Sequence, residues 1–150
     1  MPRPNPEYVR ELTELVNTSP FPAHMAMRLV SIEFDQAVLE LQTAPHHLQA
    51  FGILHGGVLA TLIDTATFWS AYLRLPEDDG LVNVDLKLNY LKPVANGLLR
   101  AKGRAIRSGN TLCYAESYVM NACREMVAHG TSTLMIMPGK SLKVKSRKFL

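Results

Sequence analysis

Cysteine is scarce in this 150-residue chain: only Cys113 and Cys123 occur, and neither sits among residues spaced as metal ligands. Two isolated cysteines give no disulfide framework and no zinc ribbon, so a pair of reduced thiols in a cytoplasmic protein is expected. Also missing are an apolar run of membrane-spanning length and a charged, apolar, small-residue leader, so neither membrane insertion nor secretion is expected. Repeats, low-complexity segments and linkers are absent too. The length suits one domain with a real core, spanning 1–150, and is too short for two of ordinary size.

The formal net charge is only +3, and part of it lies in the tail 140–150, where Lys140, Lys143, Lys145, Arg147 and Lys148 occur without an acid. This tail reads as a solvated, frayed terminus. No aromatic interleaving and no nucleic-acid module accompany it, so no nucleic-acid partner is expected.

What is present is concentrated between Gln49 and Tyr72, QAFGILHGGVLATLIDTATFWSAY. After His55-Gly56-Gly57 the residues from Val58 to Leu73 are apolar nearly all round, the mark of a buried helix. Two features break that pattern. Asp64 places a carboxylate in a core helix, which is costly unless it is paired or used. The glycine pair weakens a helix interior but suits a helix start, where open backbone N–H groups and the positive end of the helix dipole seat an oxyanion. An oxyanion donor and a buried carboxylate are two parts that acyl transfer requires.

Eight residues separate Gly56 from Asp64, or roughly 12 Å of helix at ~1.5 Å per residue. Both groups must come within ~3 Å of one carbonyl, which a single copy of the helix cannot arrange. If they act together, Asp64 of one chain faces Gly56 of another, and a homodimer with two shared sites is expected.

Around this helix the remaining elements follow in order. Asn5-Pro6 opens a helix with Tyr8, Val9, Leu12, Leu15 and Val16 at helical spacing, and Asn17-Thr18-Ser19-Pro20 ends it. Phe21-Pro22 is expected to be extended. Strands are predicted at Met27 to Phe34 and Ala37 to Thr43, joined as a hairpin, with a loop from Ala44 to Leu54 in which His46 and His47 read as polar loop residues. Residues 81–91 alternate strictly, with Val82, Val84, Leu86, Leu88 and Tyr90 expected on the buried side. Further strands are predicted at Leu98 to Arg107, Thr111 to Met120 and Glu125 to Met137. The class is therefore α+β, a curved antiparallel sheet wrapped around the long helix, with a short N-terminal helix: the hotdog architecture.

The run Gln49-x-x-Gly52-x-x-His55-Gly56-Gly57, with Asp64 seven places later, resembles the signature of the hotdog-fold acyl-CoA thioesterases, in particular the phenylacetate-pathway type. The likeness continues through Val82-Asn83-Val84-Asp85-Leu86 and Tyr90-Leu91-Lys92-Pro93, covering about residues 20–137. The resemblance implies that Asp64 is the general base or nucleophile and that the Gly56 N–H polarises the thioester carbonyl. By the same resemblance His55 supports the oxyanion site, and Gln49 positions the water or the carbonyl from the opposite chain. Asn83 stands where some members carry a Ser or Thr that orients the water, and Asn110 where a basic residue often follows the glycine at Gly109.

Gly57, Asn83, Thr67 and Phe68 are further candidates for substrate contact, and Lys92, Arg104 and Arg107 for the phosphates of coenzyme A. The expected partner is an acyl-CoA, with coenzyme A present only as part of the substrate and no cofactor or metal required. The expected assembly is a homodimer, alone or paired as a dimer of dimers. Two other readings stay open on the same fold: a hydratase or dehydratase, and a non-catalytic acyl-CoA-binding module.

Overall fold

A computed structural model describes residues 2–150. Helix α1, Pro6–Thr18, begins with Pro6 in the first turn and is capped by the Asn5 side chain, which accepts the Glu7 N–H at 3.0 Å. Its inner face buries Tyr8, Leu12 and Val16.

The stretch expected to be extended after Ser19 is instead a second short helix, α2, Pro20–Met25. Ser19 alone takes the extended conformation that a following proline demands. Pro20 and Pro22 then occupy first-turn positions, whose N–H groups have no intrahelical partner to lose. Ala26, at φ 53°, ends the helix and turns the chain into the sheet.

Strands β1 (Met27–Glu33) and β2 (Gln36–Gln42) form the expected hairpin, turned by Asp35 at φ 63°. The segment before the long helix is tighter than a plain loop. Pro45–His47 form a 3-10 turn, and His47 is buried, accepting the Ala44 N–H through Nδ1 (3.0 Å) and bonding the Met25 carbonyl through Nε2 (2.8 Å). His47 thereby ties this turn to the end of α2.

Helix α3, Gly56–Tyr72, is followed by β3 (Gly80–Tyr90), β4 (Leu98–Ser108), β5 (Leu112–Met120) and β6 (Met126–Met137). The six strands make one antiparallel sheet in the order β1-β2-β4-β5-β6-β3, and α3 touches every one of them. Contact so close requires small residues on the inner sheet face. A Cβ on Gly103 of β4 would sit 2.1 Å from the Ala66 carbonyl oxygen, and one on Gly130 of β6 would come within 3.0 Å of Ile63 Cγ2.

Two expectations from the sequence are corrected here. Strand β3 does not alternate as its residues suggest, because Val84 is an extra residue between Asn83 and Asp85 in the pairing with β6. Leu81 and Asn83 face inward before this bulge and Leu86 and Leu88 after it, so Val82 and Val84 are exposed; Tyr90, on the side of Leu88, is exposed at the end of the strand. The basic tail, in turn, is packed rather than frayed. Lys148 is fully buried, its Nζ donating to the Tyr72 and Leu75 carbonyls at 2.9 Å each and lying 4.5 Å from the centre of the Tyr72 ring. Phe149 pairs with Pro4, and Glu11 receives the Lys145 and Ser146 N–H groups. The ammonium meets the carbonyls left open where α3 ends, the place where a helix accepts positive charge.

Candidate active site

The start of α3 is built by His55. Its backbone is extended (φ −65°, ψ 133°), its Nδ1 accepts the Gly57 N–H at 2.8 Å, and its carbonyl accepts the Val58 N–H at 3.0 Å. The ring is a helix cap, so its tie to an oxyanion is indirect. Gly57, expected to offer an open N–H, has that group occupied by His55. Among the described residues the Gly56 N–H has no partner. It opens at a cavity of about 420 Å³ that Leu59, Tyr90, Leu91 and Lys92 also line. The Tyr90 ring lies so close that a Cβ on residue 56 would be 2.9 Å from it, so a larger residue here would have to push that ring aside.

Asp64 lies two turns further along, half-buried. Among the described residues its carboxylate has no hydrogen-bond or ion-pair partner, and burial pushes its pKa above the ordinary 3.8. It lines a separate cavity of about 240 Å³ with Phe21, Ala60, Thr61 and Leu86. One chain therefore does not bring Asp64 and Gly56 together. They open into different cavities, and eight helical residues hold them roughly 12 Å apart.

The other candidates divide. Gln49 is fastened into its own loop: Oε1 accepts the Phe51 N–H, the backbone N–H donates to Ile53 (2.8 Å) and the carbonyl accepts from Gly52 (2.9 Å). Thr67 is corrected to a core residue, fully buried with its hydroxyl on the Ile63 and Asp64 carbonyls at 2.9 Å. Asn83 ties the β3 bulge to α3: its Nδ2 donates to Ser132 Oγ (2.9 Å) and to the Asp64 carbonyl (3.3 Å). Phe68 is partly buried in an aromatic cluster, 4.8 Å from Trp69 and 5.9 Å from Tyr72 between ring centres.

Of the three basic candidates, Lys92 lines the Gly56 cavity and pairs with Glu125. Arg104 leaves the outer face of the sheet and pairs at 2.6 Å with Glu116, whose pKa it lowers together with His129. Arg107 is exposed beside the bulge in β4. Among the described residues no three His, Cys, Asp or Glu side chains converge as a metal site.

Sequence reading missed Tyr90 over Gly56, and Phe21, Thr61 and Leu86 around Asp64. Thr61 was within reach of it, since it lies three residues before Asp64 and so on the same face of the helix.

A long helix in the wrap of a six-stranded antiparallel sheet, with an open glycine N–H at its start and an unpaired carboxylate two turns on, defines a hotdog enzyme of the thioesterase class. The chain belongs to the thioesterase superfamily, whose sequence profile matches residues 51–126. It is 28% identical over 107 residues to acyl-coenzyme A thioesterase 13 of Homo sapiens, covering 70% of this chain and 76% of that one. It is 25% identical over 112 residues to the 1,4-dihydroxy-2-naphthoyl-CoA hydrolase of Listeria monocytogenes, covering 75% and 91%. Other matches span less of the relative, 66% in Caenorhabditis elegans and 65% in Haemophilus influenzae. The crystal structure of a thioesterase from Haemophilus influenzae superposes with a TM-score of 0.83 at 20% identity, over 96% of this chain and all of that one, which speaks for the fold. No helix among the described residues is long and apolar enough to cross a membrane.

Proposed function

We propose that the protein hydrolyses acyl-CoA thioesters at two sites shared across a homodimer, each built from Gly56 of one protomer and Asp64 of its partner. One observation carries the reading: the open N–H and the unpaired carboxylate sit on one helix, too far apart to meet within a chain and each facing its own cavity.

The sheet supports the pairing. Strand β3 is an edge of 11 residues with Val82 and Val84 exposed, and its free backbone edge is one that a second β3 can cover. Relatives named for CoA thioesters support an acyl-CoA as the substrate. The two thiols, Cys113 and Cys123, are unpaired, in keeping with a cytoplasmic protein.

In this mechanism the thioester carbonyl oxygen sits on the Gly56 N–H, and Asp64 takes a proton from a water that adds to the carbonyl carbon, or adds there itself. The carbonyl electron pair moves onto oxygen, where the N–H and the helix dipole hold the charge. When the pair returns, the C–S bond breaks, and the coenzyme A thiolate leaves and takes up a proton. When water is the nucleophile the free acid remains; when Asp64 adds itself, a mixed anhydride remains, and a water then hydrolyses it to the free acid and the Asp64 carboxylate. No cofactor enters the cycle.

The test is thiol release from aryl, short-chain and medium-chain acyl-CoAs by wild type, by Asp64→Asn, by Gly56→Pro and by a mixed dimer of the two variants. Proline is tolerated in the first turn but lacks the N–H. Release by wild type, loss in each variant and recovery of about half in the mixed dimer is expected. A mixed dimer as inert as its parents would sink the shared site.

A further inference from the structure

We infer, on the footing of that thioesterase reading, that this chain's two ends wall a blind acyl chamber that selects linear medium-chain groups. Asp64 and Phe68 are one turn apart on the same face of α3. The cavity at Asp64 is walled by Phe21 of α2 and Leu86 of β3. A second cavity of about 340 Å³ is lined by Phe68, by Pro22 next to Phe21 on α2, and by Leu81, five residues before Leu86 on β3. The two cavities have no lining residue in common but follow one another along α3, each bordered by α2 and β3, and the chamber joins them once an acyl chain lies across both.

At its far end lie Trp69 and Tyr72, roofed by Leu15 and Val16 of α1 and by Leu142 of the tail. Besides the Tyr72 hydroxyl, which accepts from the Leu142 N–H, and the Trp69 indole, Ser19 and Lys140 are the polar side chains lining this chamber. From Asp64 to Tyr72 the helix rises roughly 12 Å, a run that an extended octanoyl or decanoyl chain fills and a single aromatic ring does not.

The roof is held from behind. Lys148 fixes the tail to the last carbonyls of α3, and the Leu142 N–H donates to the Tyr72 hydroxyl at 3.3 Å. The roof residues lie outside 51–126, the stretch that the superfamily profile matches. The chemistry therefore belongs to the family segment, and the length limit to the segments before and after it.

The experiment measures kcat/KM for butyryl-CoA and octanoyl-CoA with wild type, Leu142→Trp and Leu15→Trp. Both leucines are partly exposed, so a larger ring can be carried without opening the core, and either variant alone decides the matter if the other fails to fold. In parallel, Trp69, the only tryptophan of the wild-type chain, is titrated with octanoic acid brominated at its methyl end.

The octanoyl-to-butyryl ratio is expected to fall by roughly tenfold or more in the variants, the worth of about two buried methylenes. The brominated acid is expected to quench Trp69. An unchanged ratio overturns the chamber while leaving hydrolysis in place. Quenching without Asp64-dependent thiol release overturns hydrolysis and keeps the chamber, and absence of both overturns both.

Discussion

His55 Nδ1 accepts the backbone N–H of Gly57 at 2.8 Å, and by taking that donor it leaves Gly56 as the open donor at the start of α3. His55→Ala should therefore cost about 1 kcal/mol of stability, the usual worth of a lost cap. Activity should fall with it, as the first turn loosens. His55→Asn, whose side chain can cap, should restore both. Urea denaturation alongside kcat/KM separates this from acid–base work by the ring, which Asn could not rescue.

Burial raises the Asp64 pKa above 3.8, and a group acting as base or nucleophile must be ionised. The acid limb of the pH–kcat/KM profile should accordingly lie above the value of an ordinary aspartate, with activity rising as pH rises through it. Asp64→Asn should remove turnover by about 10²-fold or more.

The same shift predicts the opposite effect on stability. With its folded pKa above its unfolded one, Asp64 favours folding while protonated, and that contribution is lost as pH rises from 3.8 through the folded value. At neutral pH, where the charge is buried without a partner, Asp64→Asn should raise the melting temperature. A variant both inactive and less stable would show that the carboxylate has a structural partner.

Burial lowers the Lys148 pKa from 10.5 to about 8. Between these values the unfolded chain binds more protons than the folded one, so Lys148 should make the protein more stable as pH rises from about 8 to 10.5. A neutral amine still has two hydrogens for the Tyr72 and Leu75 carbonyls, so the tail stays docked. Lys148→Met should lack this rise when unfolding free energies are compared across that range.

Gly103→Ala should destabilise by about 3 kcal/mol or more, because its methyl meets the Ala66 carbonyl rather than a flexible side chain. Calorimetry of the variant checks this, and an unchanged melting temperature would mean that α3 rides higher above the sheet.

Much of this was legible in the residues themselves. Local alternation together with turn residues located all six strands, and the nearly unbroken apolar run located α3, because these are local properties of a sequence. The glycine pair and Asp64 stood out as groups that a core helix does not tolerate without use. What escaped were features decided by distant partners. The bulge at Val84 depends on the register of β6, the burial of Lys148 on where α3 ends, and the helical fold of Phe21-Pro22 on first-turn positions that a rule about single prolines does not see. Asn83 entered the candidate site through the family resemblance, and its Nδ2 is engaged by Ser132 and the Asp64 carbonyl; the Thr67 hydroxyl is taken up by backbone carbonyls of its own helix.

Gly103 and Gly130 hold α3 at backbone distance from the sheet, and neither meets the candidate site cavities. The seat of Asp64 is thus set by two missing side chains on strands β4 and β6, while the walls beyond Phe68 come from the two ends of the chain. Reactivity and selectivity then mutate independently: an engineer can exchange the ends like fittings on a chassis, and the position of the carboxylate stays where the two glycines put it.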